Sequence, residues 1–395
     1  MFELSKEHED FRRVVREFAL AEVAPHVAEW DEQHRFPVEL VPKMGDLGLF
    51  GLVVPEEFGG ADADFTSLCV AIEELGRVDQ SVGITLSAGV GLGINPILTF
   101  GSRAQKERWL PDLVSGRALA AFGLTEPEAG SDAGATKTKA VLQNDGDGDS
   151  WVVDGAKAFI TNSGTDITSV VTVTARTGER PDGRPEISAI MIPAGTPGFT
   201  VEPAYRKLGW HASDTHGLSF AGCRVPADHL LGERGRGFSQ FLATLDDGRV
   251  AISALAVGLA QACLDACLEY AGSRQAFQRP IGVNQGVSFP IADLAVAVEA
   301  ARLLTYKAAW LRDEQSAGRR SMAEVKQAAA FAKLHSSTAA VDATRLATQV
   351  FGGAGFIEEY PVARFYRDAK ILEIGEGTSE VQRMVIARGL GLPVA

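Results

Sequence analysis

Cysteine is scarce in this 395-residue chain: Cys69, Cys223, Cys263 and Cys267, with no Cys-x-x-Cys pair among them. A disulfide-stapled mini-protein is excluded, and a thiolate metal or redox site finds no motif. Cys263 and Cys267 lie four apart on an expected helix and read as small buried side chains. No basic segment followed by an apolar core opens the chain, so no signal peptide is expected. No stretch approaches 18 uninterrupted apolar residues, so no membrane span is expected. A reducing cytoplasm is the simplest setting. Positive charge is also short, with 38 Lys and Arg against 51 Asp and Glu and a net charge of -13. That argues against nucleic acid or an anionic membrane as partner. The deficit is uneven: residues 1–120 hold 11 basic and 20 acidic residues, residues 121–240 hold 11 and 15, and residues 241–395 hold 16 of each. With 46% hydrophobic and 23% charged residues the chain is ordinary globular material, long enough for two or three domains.

What is present changes texture twice. Phe11, Val14, Val15, Phe18 and Ala19 follow the i, i+3, i+4 rhythm of an amphipathic helix within residues 3–30. Residues 65–85 and 103–115 read as further helices. Gly89, Gly91 and Gly93 miss the GxGxxG spacing, because Ile94 stands where the last Gly belongs; they read as helix packing or a turn. From 120 to 240, runs such as WVVDGAKAFITN, TSVVTVTAR, ISAIMIPAG and LSFAGCRVP predict strands. Asp145, Asp147 and Asp149 alternate as in a calcium loop, but Ala156 replaces the Glu at the twelfth position, which favours a hairpin turn. After 240, residues 246–273, 287–315 and 322–349 are long, Ala- and Leu-rich and closely linked, as in a helix bundle.

Two segments look unlike structural filler. FGLTEPEAGSDAGA, 122–135, sets Thr125, Glu126, Ser131 and Asp132 among small residues at the first change of texture. Its hydroxyls and free N–H groups suit a flat heteroaromatic or a phosphate, or else it is a junction loop. The second, 349–383, holds Gly352, Gly353 and Gly355 where a close backbone approach would need them. It also holds Glu376 between Gly375 and Gly377, followed by Thr378 and a new helix from about Glu380.

Together these segments resemble the acyl-CoA dehydrogenase family, over essentially the whole chain, in a short- or branched-chain-like bacterial form. LTEPEAGSDAGA and QVFGGAGFIEEYPVARFYRD resemble its two signatures, and ITN at 160–162, KLGWHASDT at 207–215 and RQAFQRPIGVNQ at 274–285 match further landmarks. The resemblance implies an α+β multidomain fold. An N-terminal α-helical domain (1–120) precedes a middle β-barrel or sandwich domain (121–240) and a C-terminal four-helix bundle (241–395). It also implies FAD and a homotetramer, a dimer of dimers. Phe122 to Ser131, with Leu124 and Thr125, would line the flavin, and Phe159, Ile160 and Thr161 would pack on its ring. Arg274, Phe277, Asn284 and Gln285 would hold the pyrophosphate and adenosine, completed by Gln349, Gly352 and Gly353 from a neighbouring subunit. Thr378, Ser379 and Glu380 would meet the adenosine end. Ser131, Asp246, Arg249, Gly375, Gly377 and Arg388 would face the acyl-CoA.

The implied reaction is α,β-dehydrogenation of an acyl-CoA to the trans-2-enoyl-CoA. Glu376 would take the α-proton beside Arg249, flavin N5 the β-hydride, and an electron-transfer flavoprotein the electrons. The alternative base position is occupied by Gly248, which has no side chain. An oxidase that hands its electrons to oxygen and a non-catalytic FAD- or acyl-CoA-binding protein are the competing readings. Four positions depart from the pattern. Gly375 stands where straight-chain members carry Tyr, which would widen the acyl pocket toward branched chains. Gln278 replaces a Gly, and Glu324 and Lys326 replace an Arg and a Thr expected on the CoA phosphate. His211 and His216, five apart, have no third ligand nearby, so no metal site is expected.

Overall fold

The computed structural model describes residues 4–144, 146 and 148–394. Seven helices come first: α1 (Lys6–Phe18), α2 (Val27–Gln33), α3 (Leu40–Asp46), α4 (Phe65–Val78), α5 (Gln80–Ala88), α6 (Asn95–Phe100) and α7 (Arg103–Val114). The single helix expected over 65–85 is two. Asp79 has an extended backbone, caps α5 by accepting from the Val82 N–H (2.9 Å), and binds Arg364 (2.6 Å). Gly89–Ile94 is a buried π-helical turn joining α5 to α6, and a Cβ on Gly93 would lie 2.7 Å from the Ala120 carbonyl. Gly89 and Gly93 therefore serve packing, whereas a Cβ on Gly91 would meet nothing within 4 Å.

Eight strands follow: β1 (Leu119–Gly123), β2 (Lys139–Asn144), β3 (Asp149–Thr161), β4 (Thr168–Glu179), β5 (Pro185–Pro193), β6 (Phe199–Ala204), β7 (Thr215–Pro226) and β8 (Leu230–Leu231). They hydrogen-bond in the order β6-β7-β3-β2-β4-β5-β8, with β1 parallel to β4. The β6-β7-β3-β2 half meets the other half through one rung, Lys139 to Arg176. Trp151, Val153, Leu218 and Phe220 from one half share a core with Val171, Val173, Ile190 and Ile192 from the other. The sheet thus folds onto itself as a sandwich. β2 and β3 pair from Lys139 to Asn144 as an antiparallel hairpin. Of the alternating aspartates at its turn, Asp145 and Asp147 lie outside the described residues.

The C-terminal region is helical: α8 (Gly237–Ser273), a two-strand hairpin β9–β10 (Gln275–Ala276, Arg279–Pro280), α9 (Gln285–Ser316), α10 (Met322–Phe351), α11 (Pro361–Ala369) and α12 (Ser379–Gly389). α8 is the spine, packed on α9, α10 and α4. A Cβ on Gly258 would lie 2.3 Å from the Glu73 carbonyl, so α8 and α4 meet backbone to backbone. Buried Glu73 accepts from Tyr306 Oη (2.5 Å) and Arg302 Nη2 (3.0 Å) of α9, while Glu74 accepts from Arg16 of α1 (2.8 Å). Charged groups thus join the N-terminal helices to the bundle. α8 and the Gln80–Phe100 segment are long and apolar enough to cross a membrane, yet both are mostly buried in the protein core.

The β9–β10 hairpin turns on Phe277 (φ 50) and Gln278 (φ 63), both left-handed. Such two-residue turns favour Gly, because a Cβ in that region costs roughly 1–2 kcal/mol. Gln278→Gly is expected to stabilise the fold by about 0.5–1 kcal/mol after Gly's own entropic cost. A thermal midpoint at or below that of the parent protein would refute this.

Candidate active site

Glu376 lies between a 3-10 turn (Lys370–Glu373) and α12. Its backbone is left-handed (φ 56), and so is that of Gly377 (φ 88). This reversal turns the carboxylate back onto α8. A Cβ on Gly248 would lie 2.1 Å from Glu376 Oε2, so the carboxylate fills the space left by the missing side chain. Oε2 is buried without a hydrogen-bond partner. Burial pushes the Glu376 pKa up to about 7, against the pull of the Arg249 and Lys333 charges. Among the described residues no group accepts from the Glu376 N–H.

Arg249 follows Gly248 on α8 and donates Nη1 to Asp246 Oδ1 at 2.7 Å; both residues are buried, and Arg249 Nε has no partner. Burial raises the Asp246 pKa, opposed by Arg249 and by Lys326, whose Nζ lies 3.4 Å from Asp246. Lys326 is therefore drawn into this cluster. Lys333 of α10 is 0% exposed and donates Nζ to the Gly377 carbonyl at 2.8 Å. Gln382 donates Nε2 to the same carbonyl (2.9 Å) and to that of Glu376 (3.3 Å). Thr378 caps α12 by accepting from the Val381 N–H (3.3 Å).

A second group forms along β1 and β3. Phe122 stacks on Phe241 of α8 with centroids 3.8 Å apart. The Thr125 carbonyl accepts from the Ala158 N–H (2.9 Å), which lays the 122–131 segment beside residues 158–161. β3 changes face here. Trp151, Val153 and Lys157 point inward, but an irregularity between Lys157 and Ile160, with Phe159 left-handed (φ 61), puts Ala158 and Ile160 in the core instead. Phe159 is thrown outward and stays 65% exposed, its ring against Tyr205 (5.0 Å). Beneath the loop, buried Lys157 donates to Glu126 Oε1 (2.8 Å), Thr174 Oγ1 (3.0 Å) and the Leu124 carbonyl (3.3 Å). Glu126 also accepts from Thr136 and from the N–H groups of Lys137 and Thr138. Burial raises the Glu126 pKa, but Lys157 and these bonds bring it down to about 2; burial lowers that of Lys157 to about 8. The pair is charged at neutral pH.

The other expected residues lie apart. Arg274, exposed, follows α8; Phe277 is 93% exposed on the hairpin tip; Asn284 precedes α9 with no side-chain cap bond to it, and Gln285 begins the helix. Their hydrogen bonds are local, as from Asn284 Nδ2 to the Ile281 carbonyl (3.0 Å). Gln349 closes α10. Of the three nearby glycines only Gly355 meets a close approach within the chain, 2.3 Å from its Cβ position to the Thr348 carbonyl; Gly352 is left-handed, and Gly353 faces open space. Ser131, Glu380 and Arg388 are exposed. His216 bonds Asp214 (2.8 Å), whereas His211 pairs with Asp31 (3.0 Å) and stacks on His34, so the two serve separate networks.

The structure thus gathers Glu376, Gly248, Arg249, Asp246 and Gly377 at one point, and Phe122, Leu124 and Thr125 with Phe159 to Thr161 at another. Sequence reasoning missed Lys157, Lys333 and Gln382. The available signal for Lys333 was its spacing from Ala329, Ala330, Ser336 and Ser337, a small-residue face that is buried.

Three family models match: "Acyl-CoA dehydrogenase, N-terminal domain" over 5–117, "middle domain" over 121–223 and "C-terminal domain" over 235–391. The chain belongs to the acyl-CoA dehydrogenase family. These enzymes are flavoprotein oxidoreductases. The chain is 47% identical to the probable acyl-CoA dehydrogenase YngJ of Bacillus subtilis (strain 168), over 98% of this chain and 99% of the relative. It is 43% identical to the mitochondrial short-chain specific acyl-CoA dehydrogenase of Mus musculus, over 98% of this chain and 90% of that one. The solved butyryl-CoA dehydrogenase of Megasphaera elsdenii superimposes with a TM-score of 0.92 at 41% identity, covering 99% of each chain. A Bacillus anthracis acyl-CoA dehydrogenase complexed with FAD matches at 0.90 and 33% identity, over 98% of this chain and 67% of that one.

The buried pair under the 124–138 loop gives a direct test. Lys157→Met or Glu126→Gln alone strands one charge and is expected to cost about 3–5 kcal/mol. Glu126→Gln with Lys157→Met removes both charges and should cost less than the two singles summed. Denaturant unfolding of the four proteins measures the coupling, and strict additivity would refute it.

Proposed function

We propose that this enzyme dehydrogenates a short or branched acyl-CoA at Cα–Cβ to give the trans-2-enoyl-CoA, with Glu376 as the base. The observation that carries this is the Glu376 carboxylate, desolvated against Gly248 and within the field of Arg249 and Lys333, with its pKa pushed up to about 7. The α C–H of a thioester is a very weak acid. A carboxylate held near neutrality accepts its proton better than one in water. The unpaired Glu376 N–H is free to donate to the thioester oxygen as negative charge grows there. Arg249, fixed by Asp246, orients and tunes the carboxylate.

The residues present fit FAD. Phe159 offers an exposed aromatic face, the 122–131 loop offers Thr125 and backbone N–H groups, and Arg274 stands beside the N-terminus of α9, where phosphates bind well. When bound, FAD supplies the two-electron acceptor for the β-hydrogen. Phe122, Leu124, Thr125, Ser131, Ile160 and Thr161 would line its ring. Arg274, Phe277, Asn284 and Gln285 would hold its phosphate and adenosine end with Thr378 and Glu380. The open surface at Gly352 and Gly353 suits a second subunit, and supports Gln349, Gly352 and Gly353 completing a neighbour's site in a homotetramer. Asp246, Gly375, Gly377 and Arg388 would face the substrate. Electrons would pass to an electron-transfer flavoprotein, and the setting would be cytoplasmic. Domain limits of 1–120, 121–240 and 241–395 go with this reading.

Glu376→Gln is expected to keep FAD and bind acyl-CoA but lose at least ~10² in turnover. The base works only when ionised, so kcat/KM of the parent enzyme should rise as pH climbs through about 7. Near-normal flavin bleaching by the variant would refute the assignment.

Substrate width turns on Gly375. Apart from its two chain neighbours, only Ile371 atoms lie within 4 Å of its Cβ position among the described residues, the nearest at 3.5 Å, so the root of the place a Tyr would take is loosely packed. Isobutyryl-, isovaleryl- and butyryl-CoA compared in one assay should show at least one branched chain turned over as well as butyryl. A strict preference for the straight chain would end the idea.

A further inference from the structure

We propose that Lys333 is a positioning residue for Glu376: from α10 it fixes the Gly377 carbonyl and presents a positive charge to the carboxylate. The inference rests on Glu376 being the base and deepens that reading.

The turn bearing Glu376 is costly by itself. A Glu in the left-handed region is strained (φ 56), and such a conformation persists only where its surroundings over-determine it. The surroundings here are two side chains. Lys333 and Gln382 both donate to the Gly377 carbonyl, at 2.8 and 2.9 Å, and Gln382 also reaches the Glu376 carbonyl. With both carbonyls tied toward α10 and α12, the Glu376 carboxylate reaches Gly248 of α8. The Gly377 carbonyl accepts from an ammonium and an amide, which makes it the best-anchored point of the turn.

Geometry alone would be served by any buried donor. Lys333 is an uneconomical one, since an ammonium has three donors and this one, 0% exposed, makes a single hydrogen bond among the described residues. What it adds is charge. Burial lowers its pKa to about 8, while Glu376, Glu373 and Glu380 favour its charged form and Arg249 opposes it. The groups bearing on Glu376 are Arg249 from α8 and Lys333 from α10. Below pH 8 Lys333 is a cation, so the base titrates in its field as well as that of Arg249. Removing Lys333 leaves the burial of Glu376 in place with one cation fewer, and the carboxyl then ionises at a higher pH.

The test uses FAD-loaded enzyme and four variants: Lys333→Met, Lys333→Gln, Lys333→Arg and Gln382→Leu. Two readouts are needed: the pH profile of kcat/KM, and the Glu376 carboxyl titration read by infrared difference against Glu376→Gln. Lys333→Met should lower kcat by about 10- to 100-fold with KM changed less than about threefold, since a slight misplacement of the base suffices for that loss. Its carboxyl midpoint should rise by about one pH unit, the scale of losing one nearby opposite charge. Lys333→Gln, which keeps a donor but no charge, should show the same rise, and it stands in if the Met variant does not fold. Lys333→Arg should hold the midpoint, and Gln382→Leu should lose turnover without moving it. An unmoved midpoint in Lys333→Met, or in Lys333→Gln where only that variant folds, would overturn the proposal. Full activity in Glu376→Gln would instead overturn the base assignment, and the infrared readout keeps the two failures apart.

Discussion

The carboxylate of Glu376 occupies the space where a side chain on residue 248 would begin, and much of the molecule is arranged around that one exclusion. A gap of one Cβ is useful only if the helix bearing it stays in place. α8 is held by α9 and α10 in the bundle and by α4 across the backbone contact at Gly258. The N-terminal helices therefore belong to the site without touching it. Glu73 and Glu74 bind that layer to α9 and α1 through arginines and Tyr306. These are buried groups with partners on separate elements, so displacing one helix strands charges on the others. The cost of a shift is high, and the base inherits the rigidity.

The β layer meets this frame through a change of face in one strand. A regular β3 would send Phe159 inward after Lys157. The left-handed residue at 159 reverses the alternation, so Ile160 fills the core and the phenyl ring stands in the open. Strain at Phe159, and again at Asn162 (φ 59), is held by neighbours: Ala158 bonds Thr125, and Asn162 Nδ2 reaches the Thr85 carbonyl of α5. Phe159, Asn162 and Glu376 are left-handed non-glycine residues close to the two groups of site residues. Such strain is retained where the fold must aim a side chain that regular geometry would hide.

Much of the architecture was legible because helices and strands announce themselves by period. The long helices after 240 and the four richest strands stood where Ala-Leu and Val-Ile-Thr runs put them. β1, β2, β6 and β8 had no such run of their own; LAAFG is too short and too apolar to tell from a helix end. Asp79 broke a helix because its carboxylate had two better uses, a cap and a distant arginine, and the arginine lies 285 residues on. Glu376 was legible only through motif resemblance, since a Glu between glycines otherwise reads as solvated. Lys333 and Lys157 escaped for a related reason. A lone lysine in an Ala-rich helix or in a strand reads as the solvent face, and only partners distant in sequence, Gly377 and Glu126, make it an interior group.

The opposition between a net charge of -13 and the cations at the centre follows from the same chemistry. A carboxylate in water is too weak a base for a thioester α-proton; one buried alone would stay protonated and could accept nothing. A useful base lies between, and cations set how far burial is allowed to win. A guanidinium cannot release its proton in the working range, so an arginine's contribution is constant. A buried lysine can, and the one beside Glu376 has its pKa lowered to about 8. The two therefore differ in kind: the arginine supplies a fixed field, the lysine one that fades above pH 8. Losing the second cation raises the Glu376 pKa in turn, so the two groups titrate as a coupled pair. The acidic exterior is free to serve solubility, because the charges that govern the base are the few that water does not reach.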